Sequence, residues 1–148
     1  MSTHDELPLA ITPRVRDSCL CLHVQRAARA VARRYDEALR PVRLTNGQFS
    51  LMMSLNRAEP PPIGQVSAVL AMDRTTLTAN LKPLLRRGLV EMAVDEADRR
   101  GRRLALTPAG RALLAAALPL WEAAQAANRS LVAGSDLAGL LADLRALS

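Results

Sequence analysis

The chain has 148 residues, 49% of them hydrophobic and only 2% aromatic, with a formal net charge of +6 and two cysteines. That length can bury a core without metal or disulfide staples, and an apolar fraction made of leucine, alanine and valine is the composition of packed helices. The positive balance favours an anionic partner, nucleic acid before a membrane surface, and the longest apolar run, Ala112 to Trp121, is too short to span a bilayer and contains Pro119.

The opening MSTHDELPLAITPR has no basic start followed by an apolar stretch, so a secretion signal is not expected and the chain reads as soluble and cytoplasmic. Leu20, Val24, Ala27, Val31, Tyr35 and Ala38 recur at steps of three and four, which predicts one long helix from about Val15 to Arg40, stopped by Pro41. On that helix Cys19 and Cys21, two apart, point to different sides, so an intrachain disulfide is not expected.

A second helix is predicted to begin at TNGQ, where Thr45 caps the backbone and Gln48 reciprocates. After NRAEPPP comes the short helix IGQVSAVL, with Ile63, Val66, Val69 and Leu70 as its apolar stripe. Beyond the turn at Ala71 and Met72, Asp73 is the expected N-cap of RTTLTANLKPLLRR, and Gly88 closes it with Arg86 and Arg87 in the last turn. LVEMAV and RLALT then alternate as two strands joined by an arginine-rich loop. Thr107 and Pro108 are a cap and a first-turn proline, opening a long helix that carries Leu113, Leu114, Leu118 and Trp121; a last short helix covers about Ser135 to Leu147.

Charge is unevenly placed. Arg14 to Arg43 holds eight basic and three acidic residues, Asp73 to Arg103 eight and five, and Leu104 to the end three of each. The positive surface belongs to the first two thirds, and the last third reads as an assembly element.

The order helix, turn, helix, hairpin carries the functional signal: in such a unit the second helix enters the major groove and the hairpin wing reaches the neighbouring minor groove. On the helix from Arg74, Leu77, Leu81 and Leu84 share a narrow arc and face the core. Thr75, Thr78, Ala79, Lys82 and Arg86 fall on the opposite side. The threonines suit phosphates or base edges, whereas Lys82 and Arg86, further along, suit the phosphate flank.

These residues resemble the MarR family of winged-helix regulators, in LTNGQFSLMMSL, in MDRTTLTANLKPLLRRGLVE and in DEADRRGRRLALTPAGRALL. The specific mark is Asp98 and Arg100 as Asp-x-Arg, followed seven residues later by Thr107-Pro108-Ala109-Gly110. The resemblance implies a mainly α fold with a small β-hairpin: an N-terminal arm and first dimerisation helix over 1–43, a winged helix-turn-helix lobe over 44–107 and dimerisation helices over 108–148, in one structural domain overall. It implies a homodimeric repressor on double-stranded DNA, with Arg100 in the minor groove held by Asp98, and with Arg74, Thr75, Thr76, Thr78 and Lys82 on or near the major groove. Arg99, Arg102 and Arg103 are then left for phosphates. Pro62, where many relatives carry a polar cap, Ala71, where a glycine often turns, and Pro83, which should bend the recognition helix, depart from the family pattern.

The same resemblance implies a small aromatic or phenolic effector in a cleft drawing on His23, Phe49 and Met53. A competing reading follows from CLCLHVQRAARAVARRYDEAL, which is similar to the first helix of the family's organic-hydroperoxide-sensing branch: Cys21 takes the reactive position and Tyr35 matches a tyrosine that hydrogen-bonds it. Asn46 stands where a second tyrosine is expected, and no cysteine in the last third could resolve an oxidised thiol. Cys19 and His23, four apart, are too few to hold a metal, and the other histidine is His4. No cofactor is expected. An enzyme is not expected either, because no nucleophilic triad, phosphate loop or carboxylate pair is present. A winged-helix adaptor that binds protein instead of DNA is the remaining rival.

Overall fold

The computed structural model describes residues 6–148, so His4 lies outside the described residues. The chain divides into two compact units, one ending at Arg33 and one from Arg34 to Ser148.

The first unit holds α1 (Ile11–Ser18) and the start of α2 (Leu20–Leu39). The single helix expected from Val15 to Arg40 is therefore divided, because the backbone at Cys19 turns extended with ψ 108°. Cys19 begins the next helix as a cap: its carbonyl accepts from the His23 N–H at 3.2 Å and its Sγ from the Leu22 N–H at 3.5 Å. Sulfur occupies the place usually taken by a serine, threonine or aspartate oxygen. The apolar repeat begins at Leu20, where α2 begins. Cys19 and Cys21 thus do not share a helix, and opposite helix sides do not describe their placement; both are free thiols.

The second unit continues α2 through a 3-10 turn at Arg40–Val42 into α3 (Asn46–Ser54), α4 (Ile63–Leu70), α5 (Arg74–Arg86), β1 (Val90–Val94), β2 (Arg102–Leu106), α6 (Pro108–Leu131) and α7 (Leu137–Ala146). Local chemistry sets these boundaries. Thr45 and Gln48 form a reciprocal capping box at α3. Asp73 accepts from the Thr76 N–H at 2.7 Å to start α5, and Gly88, at φ +67°, ends that segment in the left-handed region. Ala71 also turns left-handed, at φ +49°, a conformation that costs a non-glycine residue about 1–2 kcal/mol. Pro62 precedes α4 without any side-chain cap. Pro83 lies inside α5, which runs as one helix from Arg74 to Arg86.

The core of this unit gathers Leu39, Leu51, Met52, Leu84 and Leu104, all fully buried, with Leu77, Leu81 and Leu106 beside them. Burying each leucine contributes about 1.5–3 kcal/mol. Val66 buries as the α4 stripe predicts, but Val69 remains 68% exposed. The strands pair antiparallel, Val90 opposite Leu106 and Met92 opposite Leu104. Only Val90 of β1 is buried, so the alternation expected of that strand is lost where the hairpin leaves the core. At its base, β2 continues toward the segment before α4, with Arg103 bridged to Pro62 and the Leu104 N–H donating to the Pro61 carbonyl at 3.1 Å.

Candidate nucleic-acid interface

One face of α5 is apolar and buried through Leu77, Leu81 and Leu84, while Arg74, Thr75, Thr76, Thr78, Ala79, Lys82 and Arg86 are all exposed. The helix is held by α3, by β1 and by its own N-cap, so its outer face is presented from within the second compact unit. Accepting the Thr76 N–H holds the Asp73 carboxyl below the usual carboxylate range, so the cap stays charged to lower pH than a free carboxylate would. Thr78 donates its hydroxyl to the Arg74 carbonyl at 2.8 Å, a bond within the helix, and the residue is exposed. Asn80, on the flank, donates to the Thr76 carbonyl and packs so closely on Gly47 that a Cβ there would lie 2.8 Å from the Asn80 side-chain oxygen.

The wing tip follows from two hydrogen bonds to one residue. Asp98 accepts the Arg100 N–H on its carboxylate at 3.1 Å and the Gly101 N–H on its carbonyl at 2.8 Å. Asp98 therefore grips the backbone of Arg100, and the Arg100 side chain extends from that turn, exposed. Arg99 is exposed as well, and Arg102 folds its guanidinium back onto the Arg99 and Gly101 carbonyls. Arg103, expected at a phosphate, instead binds inward to Asp95 and to the Pro60 carbonyl. The arrangement sets an exposed threonine-rich helix and an arginine-tipped hairpin in one unit, a chemistry suited to a polyanion with grooves.

Comparison with known proteins agrees with this geometry. A family profile described as a winged helix DNA-binding domain matches residues 44–110. The transcriptional regulator HosA of Escherichia coli O157:H7 is 39% identical over 79 residues, a match that covers 52% of this chain and spans only 57% of HosA's own length. The Mycobacterium tuberculosis transcriptional regulator MosR, solved in complex with DNA, is 38% identical, with a TM-score of 0.79 over 88% of this chain and 93% of MosR. The chain belongs to the MarR family. The transcriptional repressor CouR, solved on a 23-mer DNA duplex, has the same TM-score at 28% identity, covering 90% of this chain and 94% of CouR. The MarR family is one of regulators, not enzymes.

The other MarR-type candidate residues are placed separately. Phe49 is buried, and Met53 is 36% exposed. Trp121 stacks between Tyr35 and Phe49, with ring centroids 6.4 and 6.1 Å away. Burial pushes the Tyr35 hydroxyl up, so it stays neutral, and it donates to the Gln125 side chain. In the first unit Cys21 is exposed and its Sγ accepts from the Gln25 amide at 3.2 Å, while the His23 ring is tied to the Cys19 carbonyl at 2.8 Å. Among the described residues no group of three or more metal-ligating side chains occurs, and no helix is long and apolar enough to cross a membrane.

Sequence reasoning missed Asp95, the one charged residue that is buried among the described residues. Its signal was present as an acidic residue eight positions before an arginine across a hairpin, a pairing visible only once the strand register is known. The neighbouring Arg103 guanidinium, and then the Ala97 N–H, hold the Asp95 carboxyl below the usual range. A lowered value means that its stabilising contribution is present above the ordinary carboxylate range and is lost as the pH falls through the lowered one.

Proposed function

We propose that this MarR-family chain is a cytoplasmic homodimeric repressor that binds an inverted repeat in double-stranded DNA and is released by a small aromatic or phenolic ligand. The carrying observation is the pairing of the exposed α5 face with the arginine-tipped wing in one compact unit. MosR and CouR, both solved with DNA, support the partner, and CouR's description as a repressor supports the sign. In this reading Thr75, Thr76 and Thr78 meet the major groove near Arg74, Lys82 and Arg86 flank them on phosphates, and Arg100 enters the minor groove. Leu141, Leu144 and Leu147 of α7 and its C-terminal end, all exposed, supply apolar surface for a second copy. Partly exposed Trp121 supplies an aromatic wall for an effector. A ligand that favours one separation of the two recognition helices over the other would shift DNA affinity.

Binding to a duplex carrying half-sites about 34 Å apart should weaken steeply as salt rises, and an inverted repeat should outcompete scrambled duplex. Titration by fluorescence anisotropy across a range of salt checks both. Salt-indifferent or absent DNA binding would leave the adaptor reading in its place.

The exposed Cys21 thiol, hydrogen-bonded by Gln25, favours a second reading in which an organic hydroperoxide is the signal. The thiolate sulfur attacks the terminal peroxide oxygen, the O–O bond breaks, the sulfur takes the hydroxyl as a sulfenic acid, and the departing alkoxide takes a proton from water to leave as an alcohol. Cumene hydroperoxide should then release DNA from the parent but not from Cys21→Ser, as read by gel shift; release from neither removes this reading.

A further inference from the structure

We propose that Asp95 and Arg103 form a strut that fixes the wing against the segment preceding α4, making both of them positioning residues for DNA binding although neither need touch DNA. The inference rests on the winged-helix reading given above.

The geometry gives each group more than one partner. Arg103 Nε lies 3.1 Å from Asp95 Oδ1, and Arg103 Nη1 donates to the Pro60 carbonyl at 2.7 Å, so one guanidinium spans the mouth of the hairpin and the loop between α3 and α4. Asp95 accepts the Ala97 N–H on the same carboxylate at 3.1 Å, and its own N–H donates to the Gly101 carbonyl at 3.1 Å. The Asp95 side chain is 11% exposed and that of Arg103 is 36% exposed, unlike the open side chains at the tip. Beyond Val90 the first strand has no apolar anchor, since Glu91 to Val94 are all exposed. With Leu104 of β2 as its apolar anchor, the outer hairpin is oriented at its base by polar contacts: this ion pair, the Pro62 bridge and the Leu104 N–H to Pro61 bond. Two directed N–H groups in a planar fork are needed to meet Asp95 and Pro60 together, and a lysine ammonium has no such fork.

Two substitutions separate a strut from a charge effect by sign. Asp95→Asn removes a negative charge near a polyanion, so electrostatics alone predicts tighter DNA binding; the strut predicts binding about tenfold weaker. Arg103→Lys keeps the charge, so a phosphate contact predicts near-parent binding; the strut predicts a similar weakening to Asp95→Asn. Anisotropy titrations on the same inverted-repeat duplex, with circular dichroism melts of each variant, give the readout, and Arg100→Ala is measured alongside. Weaker binding by both strut variants while the fold persists supports the proposal. Parent-like or tighter binding by Asp95→Asn, or parent-like binding by Arg103→Lys, overturns it while Arg100→Ala still binds weakly. If Asp95→Asn does not fold, Arg103→Lys alone decides. Parent-like binding by Arg100→Ala would instead sink the winged-helix reading itself.

Discussion

Gly110→Ala is expected to destabilise the chain by about 3 kcal/mol or more, at the upper end of what overpacking costs. A Cβ at Gly110 would lie 2.0 Å from the Leu89 carbonyl oxygen and 3.0 Å from its carbon, so backbone has to move, not a flexible side chain. Retreat of α6 is opposed by a cluster of bonds at the same point. The Thr107 N–H donates to that Leu89 carbonyl at 3.1 Å, the Thr107 hydroxyl donates to the Gly88 carbonyl at 2.6 Å, and the same hydroxyl accepts the Gly110 N–H at 3.0 Å. Separating α6 from the start of β1 loosens the two bonds to Leu89 and Gly88, and with them the base of the wing. Thermal unfolding followed by circular dichroism checks the loss, and DNA affinity should fall in the same variant. Melting at the parent temperature would mean that the close approach of Gly110 to Leu89 is not needed.

Arg100→Ala should weaken binding to the inverted repeat by about 10- to 100-fold while leaving the melting temperature unchanged. The side chain is exposed and leaves the fold from a turn that Asp98 holds through the Arg100 backbone N–H, which alanine retains. The loss is therefore one of contact and not of wing shape. It should also reduce the slope of log affinity against log salt by about 1, as removal of one cation near the phosphates requires. Anisotropy at four or five salt concentrations measures affinity and slope together. An unchanged slope with lost affinity would place Arg100 in a role other than meeting the DNA's charge.

Most of the second unit was legible because its boundaries rest on local chemistry. Thr45 with Gln48, Asp73 with the Thr76 N–H, and Thr107 with Pro108 each cap a helix using atoms within three residues, so sequence spacing is enough to read them. The buried arc of Leu77, Leu81 and Leu84 follows from helical period alone. The break at Cys19 was not legible, since a sulfur is a weak acceptor and no glycine or proline marks the spot. Val69 and the outer part of β1 escaped because apolar residues there stay exposed among the described residues, a fact of tertiary placement that periodicity does not contain. Asp95 and Arg103 were hidden for a related reason. The hairpin loop lies between them, and a run of arginines reads as surface charge until one is seen turned inward.

The stack of Tyr35, Trp121 and Phe49 uses up every aromatic side chain the sequence has. Aromatic spectroscopy of the entire protein is therefore spectroscopy of one junction, where α2, α6 and α3 meet. Near-ultraviolet dichroism and tryptophan emission will report that joint alone, silent to the wing and to α7. A change in either signal on adding an effector would locate its action there without any label.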